Sequence, residues 1–392
     1  MFSSLFQFSL KTNFRSIYTA FDPYPSYKGS AIHIDKVTGV MAQKFDSLLL
    51  LTLENAKQQI LVEGITHLEF PTEERNFLKR AFAYSDWVDS HLEKQYNLEV
   101  GHFRDIWGGL PIIRRKHITS VFEVNGLPSI ELPNRFSSIS ADTLSKIREL
   151  ETRCLREASV IICPSETIKK HIVGRGILES KIHVIPNGAT VPEQYPKPTD
   201  LPTRYFVYFG ALQPWQGIGT LLKSLKYLKD KPELKLVICS SHKEKHARPY
   251  KKLIQKLDVE EQVIWKYQLE KRALQAILQH AICTVAPLTE CSRNLEQGCS
   301  PLKIFESMAC RVPIIASDLP VIREILAPDE AKFFRAERPA ELARCIRLIS
   351  DYSEFGNKIS KNAYQKLKSE YTWERIDKKL AYIYDNLLEL TF

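Results

Sequence analysis

No C-x-x-C pair occurs among the 8 cysteines, and several of them lie in apolar runs such as VIIC and LVIC. That spacing argues against a zinc site and against a disulfide framework, so the thiols read as reduced and buried in a cytoplasmic protein. Nor does any apolar stretch approach the roughly 18 residues that a bilayer span requires. The G-x-S-x-G elbow, the P-loop and the H-E-x-x-H helix are all missing, which removes the chemistries those motifs carry. Gly217-Ile218-Gly219 stands alone, without a third glycine three residues later, and is no dinucleotide fingerprint. There is no internal repeat and no low-complexity tract.

What remains is a folded chain of 392 residues, 44% hydrophobic, long enough for two or three domains. Its 55 basic and 46 acidic residues give a net charge of +9, and most of the excess lies in the second half. A diffuse positive field suits anionic small molecules or an anionic membrane surface. With no Arg-rich aromatic platform or motif, it does not point to nucleic acid. The opening MFSSLFQFSL is apolar but has neither a basic leader nor a small-residue cleavage site, so it reads as a loose terminus or a shallow membrane contact.

Short β-rich runs alternate with helical patterns throughout. FRSIYTAF is followed by a Pro- and Gly-containing loop and then by a helix with Ile34, Val37, Met41 and Phe45 on one face. SLLLLTL, ITHLEF, ITSVFEV and ASVIICPS continue the series, which is the βαβ rhythm of a parallel sheet covered on both faces. Residues 190–204 hold four prolines and no apolar periodicity, as a linker would. A second series follows through RYFVYFGAL, LKLVICSS, QVIWKYQ, AICTVAPL and VPIIAS. The expected fold is α/β, with two Rossmann-like halves at 1–192 and 205–365 facing across a cleft. A final helix within 366–392, apolar at Trp373, Ile376, Leu380, Ile383 and Leu387, returns to the first half.

Open parallel sheets bind ligands beyond the carboxyl ends of their strands, so the loops after strands are the places to search. In GCSPLKIFESMACRVPIIAS (298–317), Ser300 and Pro301 look like a helix start, with the hydroxyl capping free amides. Lys303 then sits in the first turn, where a cation opposes the helix dipole unless an anion is bound there. Glu306 shares its face and could accept hydrogen bonds from sugar hydroxyls; an ordinary surface Lys–Glu pair is the plainer alternative. In GHFRDIWGGLP (101–111), His102, Arg104 and Asp105 would point into the cleft from a strand end. A buried Arg–Asp pair bracing a turn is the competing reading. Glu123 and Asn125 end another strand, as hydroxyl-recognising groups or as a self-capped turn. His33 reads as a plain helix residue.

The run SPLKIFESMACRVPIIASDLPVIREIL resembles the nucleotide-sugar signature of family 4 (group 1) GT-B glycosyltransferases. SVIICPSETIKKHI with KIHVIPNGATV, YFVYFGALQPWQGIGTLLKSL, YTWERIDKKLAYIY and PSYKGSAIHIDKV are similar to other parts of the same family, so the resemblance spans roughly residues 14–390. It implies a retaining, metal-independent transfer of a sugar from a nucleoside diphosphate sugar, UDP or GDP, to a hydroxyl acceptor, with no cofactor. The acceptor would be a polysaccharide, a glycolipid or a lipid-linked precursor. The absence of a D-x-D sequence agrees with metal-free chemistry. By the same resemblance Gly29, Gly210, Gly217, Ser300, Pro301, Leu302, Lys303 and Glu306 would hold the donor, with Glu306 on the ribose. His102, Arg104 and Asp105 would be catalytic, and Glu123 and Asn125 would contact acceptor or sugar. The expected location is cytoplasmic, peripheral at the inner face of a membrane.

Three positions depart from the family pattern. Gly298 stands where a second Glu is usual, and Ala211 and Gln216 replace the Arg and Lys that neutralise the leaving diphosphate. Lys303, or else Lys243, Lys245 or Arg272, would have to compensate. A scaffold that has lost activity is therefore the alternative to an enzyme; an epimerase on the same fold lacks a visible acid/base carboxylate pair.

Overall fold

The computed structural model describes residues 14–55, 62–71 and 73–387; the apolar segment MFSSLFQFSL lies outside them. Strands β1 (Ser16–Pro23), β2 (Leu48–Leu53), β3 (Ile65–Phe70), β4 (Val100–Phe103), β5 (Thr119–Glu123), β6 (Val160–Cys163) and β7 (Ile182–Val184) form a first sheet. Their order is β3-β2-β1-β4-β5-β6-β7, and every pairing is parallel. In β2 the run LLLLTL is buried at every position, as a strand covered on both faces must be. Helices α1 (Gly29–Phe45), α2 (Phe77–Leu92), α3 (Ile106–Ile113), α4 (Pro128–Arg135), α5 (Ala141–Glu157) and α6 (Glu166–Gly174) accompany this sheet.

The second sheet contains β8 (Arg204–Gly210), β9 (Leu234–Ser240), β10 (Val263–Tyr267), β11 (Thr284–Ala286), β12 (Ile314–Ser317) and β13 (Lys332–Phe334), ordered β10-β9-β8-β11-β12-β13. The three-residue β13 is too short to show in the sequence. With it go α7 (Ile218–Ser224), α8 (Arg248–Leu257), α9 (Lys271–Gln279), α10 (Leu302–Ala309), α11 (Pro320–Arg323), α12 (Pro339–Asp351) and α13 (Ser353–Lys366). Strand order reverses between β1 and β4 and again between β8 and β11, the two places where a doubly wound sheet opens a crevice.

The last helix, α14 (Trp373–Asp385), buries Leu380, Ile383 and Tyr384 in a cluster with Tyr18, Ile34, Met41 and Leu48 of the first half. Each buried aliphatic side chain contributes about 1.5–3 kcal/mol, so the helix is firmly docked on the first half. Its end is pinned where Lys44 Nζ lies 2.6 Å from Asp385. Polar contacts also join the halves directly. Glu324 accepts hydrogen bonds from the Glu166 and Thr167 amides at 2.9 Å, capping α6 from the other domain. Gln297, fully buried, accepts from the Leu127 amide and donates to Glu131.

Candidate active site

The facing strand ends enclose a cleft of about 790 Å³, a size suited to a small ligand. From the second sheet α10 enters it N-terminus first. The helix begins at Leu302 with Pro301 at the cap position, and no side chain caps its first amides. The expected Ser300 cap does not form, because Ser300 Oγ accepts the Asn187 backbone amide at 3.1 Å, and the Asn187 side chain donates to the Ser300 carbonyl. The IPNG turn of the first half thus takes the hydroxyl and leaves the helix start free.

Lys303 is buried in that first turn. Its Nζ donates to Gln216 Oε1 at 2.6 Å and stands 4.2 Å from the Tyr208 ring centroid. Burial draws its pKa down to about 7, opposed by Cys299 and Glu306. Lys303 is therefore no half of a surface Lys–Glu pair. Glu306 opens on the same cleft, and burial raises its pKa to about 7 against the pull of Lys271 and Lys303. Gly210, at φ 118°, lets the loop after β8 pass close by: a Cβ there would lie 3.8 Å from Lys303 Nζ. Gly29 opens α1 opposite, where a Cβ would come within 2.9 Å of Leu302 Cδ1, so the two helix starts approach each other across the cleft.

Across from α10 lies a buried charged cluster centred on Glu123 at the end of β5. Its Oε2 accepts from Tyr18 at 2.8 Å and lies 3.1 Å from His102 Nε2. Its Oε1 accepts from Arg104 at 2.8 Å and from the Asn125 side-chain Nδ2, and stands 3.1 Å from His33 Nδ1. Burial alone would raise the Glu123 pKa, but the Arg104 guanidinium and the His102 and His33 contacts hold it well below the ordinary carboxylate range. Arg104 also lies 3.4 Å from Asp22. It pairs with Glu123 and Asp22, and the anticipated Arg104–Asp105 pair is not formed.

Two of the anticipated catalytic residues have their polar atoms already bonded; Asp105 still lines the cleft, whereas His102 does not. His102 is fully buried, with Nε2 toward Glu123 and Nδ1 2.8 Å from the Tyr384 hydroxyl of α14, because alternation along β4 sends it to the face that α14 covers. Asp105 caps α3, accepting the Gly108 amide at 2.9 Å and the Phe21 amide at 2.5 Å. Burial raises its pKa to about 6 despite those amides. His33, expected as a plain helix residue, instead links Glu123 to the Asn187 side chain and lines the cleft. Asn125 lines it too, bound to Glu123 rather than to its own turn.

Residues 192–366 match the family described as "Glycosyl transferases group 1", and residues 29–191 match "Glycosyltransferase Family 4". The chain belongs to the family 4, group 1 glycosyltransferases of the GT-B fold. It is 23% identical over 272 residues to the O-antigen chain mannosyltransferase RfbU of Salmonella typhimurium, covering 66% of this chain and 69% of that one. Across the curated relatives it matches, this chain spans between 48% and 69% of their length. Among solved structures it resembles sucrose-phosphate synthase from Thermosynechococcus elongatus, with a TM-score of 0.78 at 16% identity over 95% of this chain and 99% of that one. Anabaena HepE in complex with UDP and glucose gives a TM-score of 0.72 at 15% identity, over 95% and 99%.

In this glycosyltransferase one departure from the family pattern, Gly298, has a structural reason. Gly298 has φ 77°, and a Cβ there would stand 2.9 Å from the Thr167 side chain of α6, so no Glu fits without separating the halves. Gly217 has φ 70°, and its Cβ would fall 1.6 Å from the Pro287 carbonyl oxygen. It is a close crossing of two loops, and it does not line the cleft as expected. Lys243, Lys245 and Arg272 do not line it either; the Arg272 guanidinium lies over Tyr195 at 5.1 Å. Lys28, Lys271 and Arg293 do. Arg293, its guanidinium 5.2 Å from the Trp215 ring centroid and its Nε 3.5 Å from Glu131, was invisible in the sequence because SRNLEQG has no periodicity and folds as a π-type turn over Arg293–Gln297.

Proposed function

We propose that this glycosyltransferase moves a hexosyl group from a nucleoside diphosphate sugar, with UDP or GDP as nucleotide, to a hydroxyl of a carbohydrate or lipid-linked acceptor. The anomeric configuration is retained and no metal takes part. The observation that carries this is the uncapped start of α10, bearing Lys303 and Glu306, in one cleft with Arg104, which buried Glu123 holds in place. Free amides and an ammonium favour a diphosphate, and a carboxylate one turn on can take two vicinal ribose hydroxyls. Leu302 and Pro301 shape the same terminus, and Gly29 and Gly210 let two backbones come close to it.

In the transfer, the bond from the anomeric carbon to the diphosphate oxygen breaks and a bond to the acceptor oxygen forms. The acceptor proton passes to the departing diphosphate. Charge grows on that diphosphate, so Lys303 and Arg293 stabilise the transition state more than the ground state. Arg104 faces the transferred sugar; His102 and Asp105, with their polar atoms already bonded, hold Arg104 and α3 in place. Retention rests on the family resemblance. Metal independence rests on it too, with Lys303 and Arg293 in the cleft to meet the charge of the diphosphate.

The name of RfbU supports a hexose donor and a polysaccharide-type acceptor. A lipid-linked acceptor would place the protein at the inner face of a membrane, and the basic balance favours weak, salt-sensitive binding to anionic vesicles. No helix among the described residues is long and apolar enough to cross one. A hydrolysis and thermal-shift panel over UDP-, GDP-, ADP- and dTDP-sugars tests the proposal. Stabilisation and turnover with one nucleotide series are expected; neither with any would leave only a scaffold.

A further inference from the structure

The rings at the N-domain end of the cleft form a connected series that the donor site does not use. Phe21 at the end of β1 meets Phe77, the first residue of α2, at 5.6 Å with the rings crossed at 83°. Phe77 also meets Trp107 at 6.2 Å and Phe136, just past α4, at 5.7 Å, and Phe82 meets Trp107 at 5.6 Å. Phe21, Phe77 and Trp107 line the cleft. Phe136 and Phe82 continue the series beyond it and are 42% and 49% exposed.

Polar groups are interleaved with the rings. Asp22 follows Phe21 and meets Arg104, Arg135 precedes Phe136, and the Arg80 guanidinium lies 5.7 Å from the Phe21 ring centroid. The Arg80 Nε is buried and has no hydrogen-bond partner.

We propose that these rings are the acceptor subsite, and that the acceptor is a glycan of two or more sugar units. This rests on the donor assignment made for the other end of the cleft. A sugar ring presents an apolar C–H face that stacks on an aromatic ring, and an edge of hydroxyls suited to guanidinium and carboxylate groups. Phe21 and Phe77, beside Arg104 and Asp22, supply both for the unit that reacts. Phe136 and Phe82, outside the cleft, have nothing to bind in a single small alcohol but lie where a second and third unit would run. A lipid chain would want a continuous apolar groove, whereas these rings are crossed and punctuated by charge.

The test is retention on a printed glycan array beside flotation with vesicles containing a polyprenyl phosphate, for wild type, Phe77→Ala and Phe136→Ala. Phe136 is exposed, so its variant keeps the test valid if Phe77→Ala folds poorly. The expected result is wild-type binding to oligosaccharides but not to their monosaccharides, weakened at least about fivefold in each variant, as loss of a stacked ring implies. Wild-type binding to no glycan, equal binding to monosaccharides, or binding only to the vesicles would overturn it. Thermal shift with nucleotides on the same samples reports separately on the donor site. If nucleotides bind and glycans do not, the subsite alone is wrong; if nucleotides fail, so does the reading it rests on.

Discussion

The Lys303 ammonium lies 2.6 Å from the side-chain oxygen of Gln216, so the cation that the loop after β8 lacks is delivered to that loop by the first turn of α10. The same lysine sits over Tyr208 and is drawn by burial to a pKa of about 7. A protein without an anion to bind at this point gains nothing from burying a cation at a helix N-terminus.

Replacing Lys303 by Met should therefore stabilise the free protein and impair catalysis. The folded chain releases this proton near pH 7, whereas the unfolded chain keeps it to about 10.5, so the unfolded state binds more protons between those values. Wild-type stability should rise with pH from 7 to 10 on this account, and Lys303→Met should flatten the rise. Melting temperatures without nucleotide check the first effect. Single-turnover transfer checks the second, with turnover falling more than donor affinity.

Donor affinity should peak near pH 7. A diphosphate is best met by protonated Lys303 and ribose hydroxyls by ionised Glu306, and both groups sit at about 7 in the free protein. They titrate as a coupled pair, so affinity should decline below and above that pH. Calorimetry with the cognate nucleotide from pH 5.5 to 8.5 would reveal the bell; a flat profile would contradict the assignment.

The cluster under Arg104 should dominate acid sensitivity. Glu123 is held well below its ordinary range, so the stability it supplies is present above that range and is lost as pH falls through its depressed value. Glu123→Gln leaves Arg104 buried beside a neutral partner and should cost about 3–5 kcal/mol in urea unfolding, whereas Tyr384→Phe, which removes only the hydrogen bond to His102, should cost about 1 kcal/mol.

Restoring the family residue at position 298 should not restore anything. With φ at 77° and Thr167 only 2.9 Å from a new Cβ, Gly298→Glu should loosen the contact between the halves and lower the melting temperature. A gain in turnover would show that the position faces the donor after all.

Strand and helix order, the returning helix and the α10 motif were legible in the sequence, because alternation, apolar spacing and a long motif each repeat over many residues. The partners of single side chains were not. His102 and Arg104 are two residues apart on or just past β4, yet one is sealed under Tyr384 and the other faces the cleft, a split decided by α14 folding back from nearly 300 positions away. Ser300 gave up its capping role to Asn187, a partner 113 residues earlier in the IPNG turn, and Arg293 came from a turn with no pattern to read.

The central claim is that Glu306 grips the donor ribose while α10 holds the diphosphate. A double-mutant cycle by calorimetry tests it most directly, pairing wild type and Glu306→Gln with the cognate nucleoside diphosphate and its 2′-deoxy analogue. Each single change should weaken binding several-fold, because a charged hydrogen bond is worth about 1.5–3 kcal/mol, and the two together should cost little more than one. Fully additive losses, or an unchanged affinity in Glu306→Gln, would place the ribose elsewhere and contradict the account.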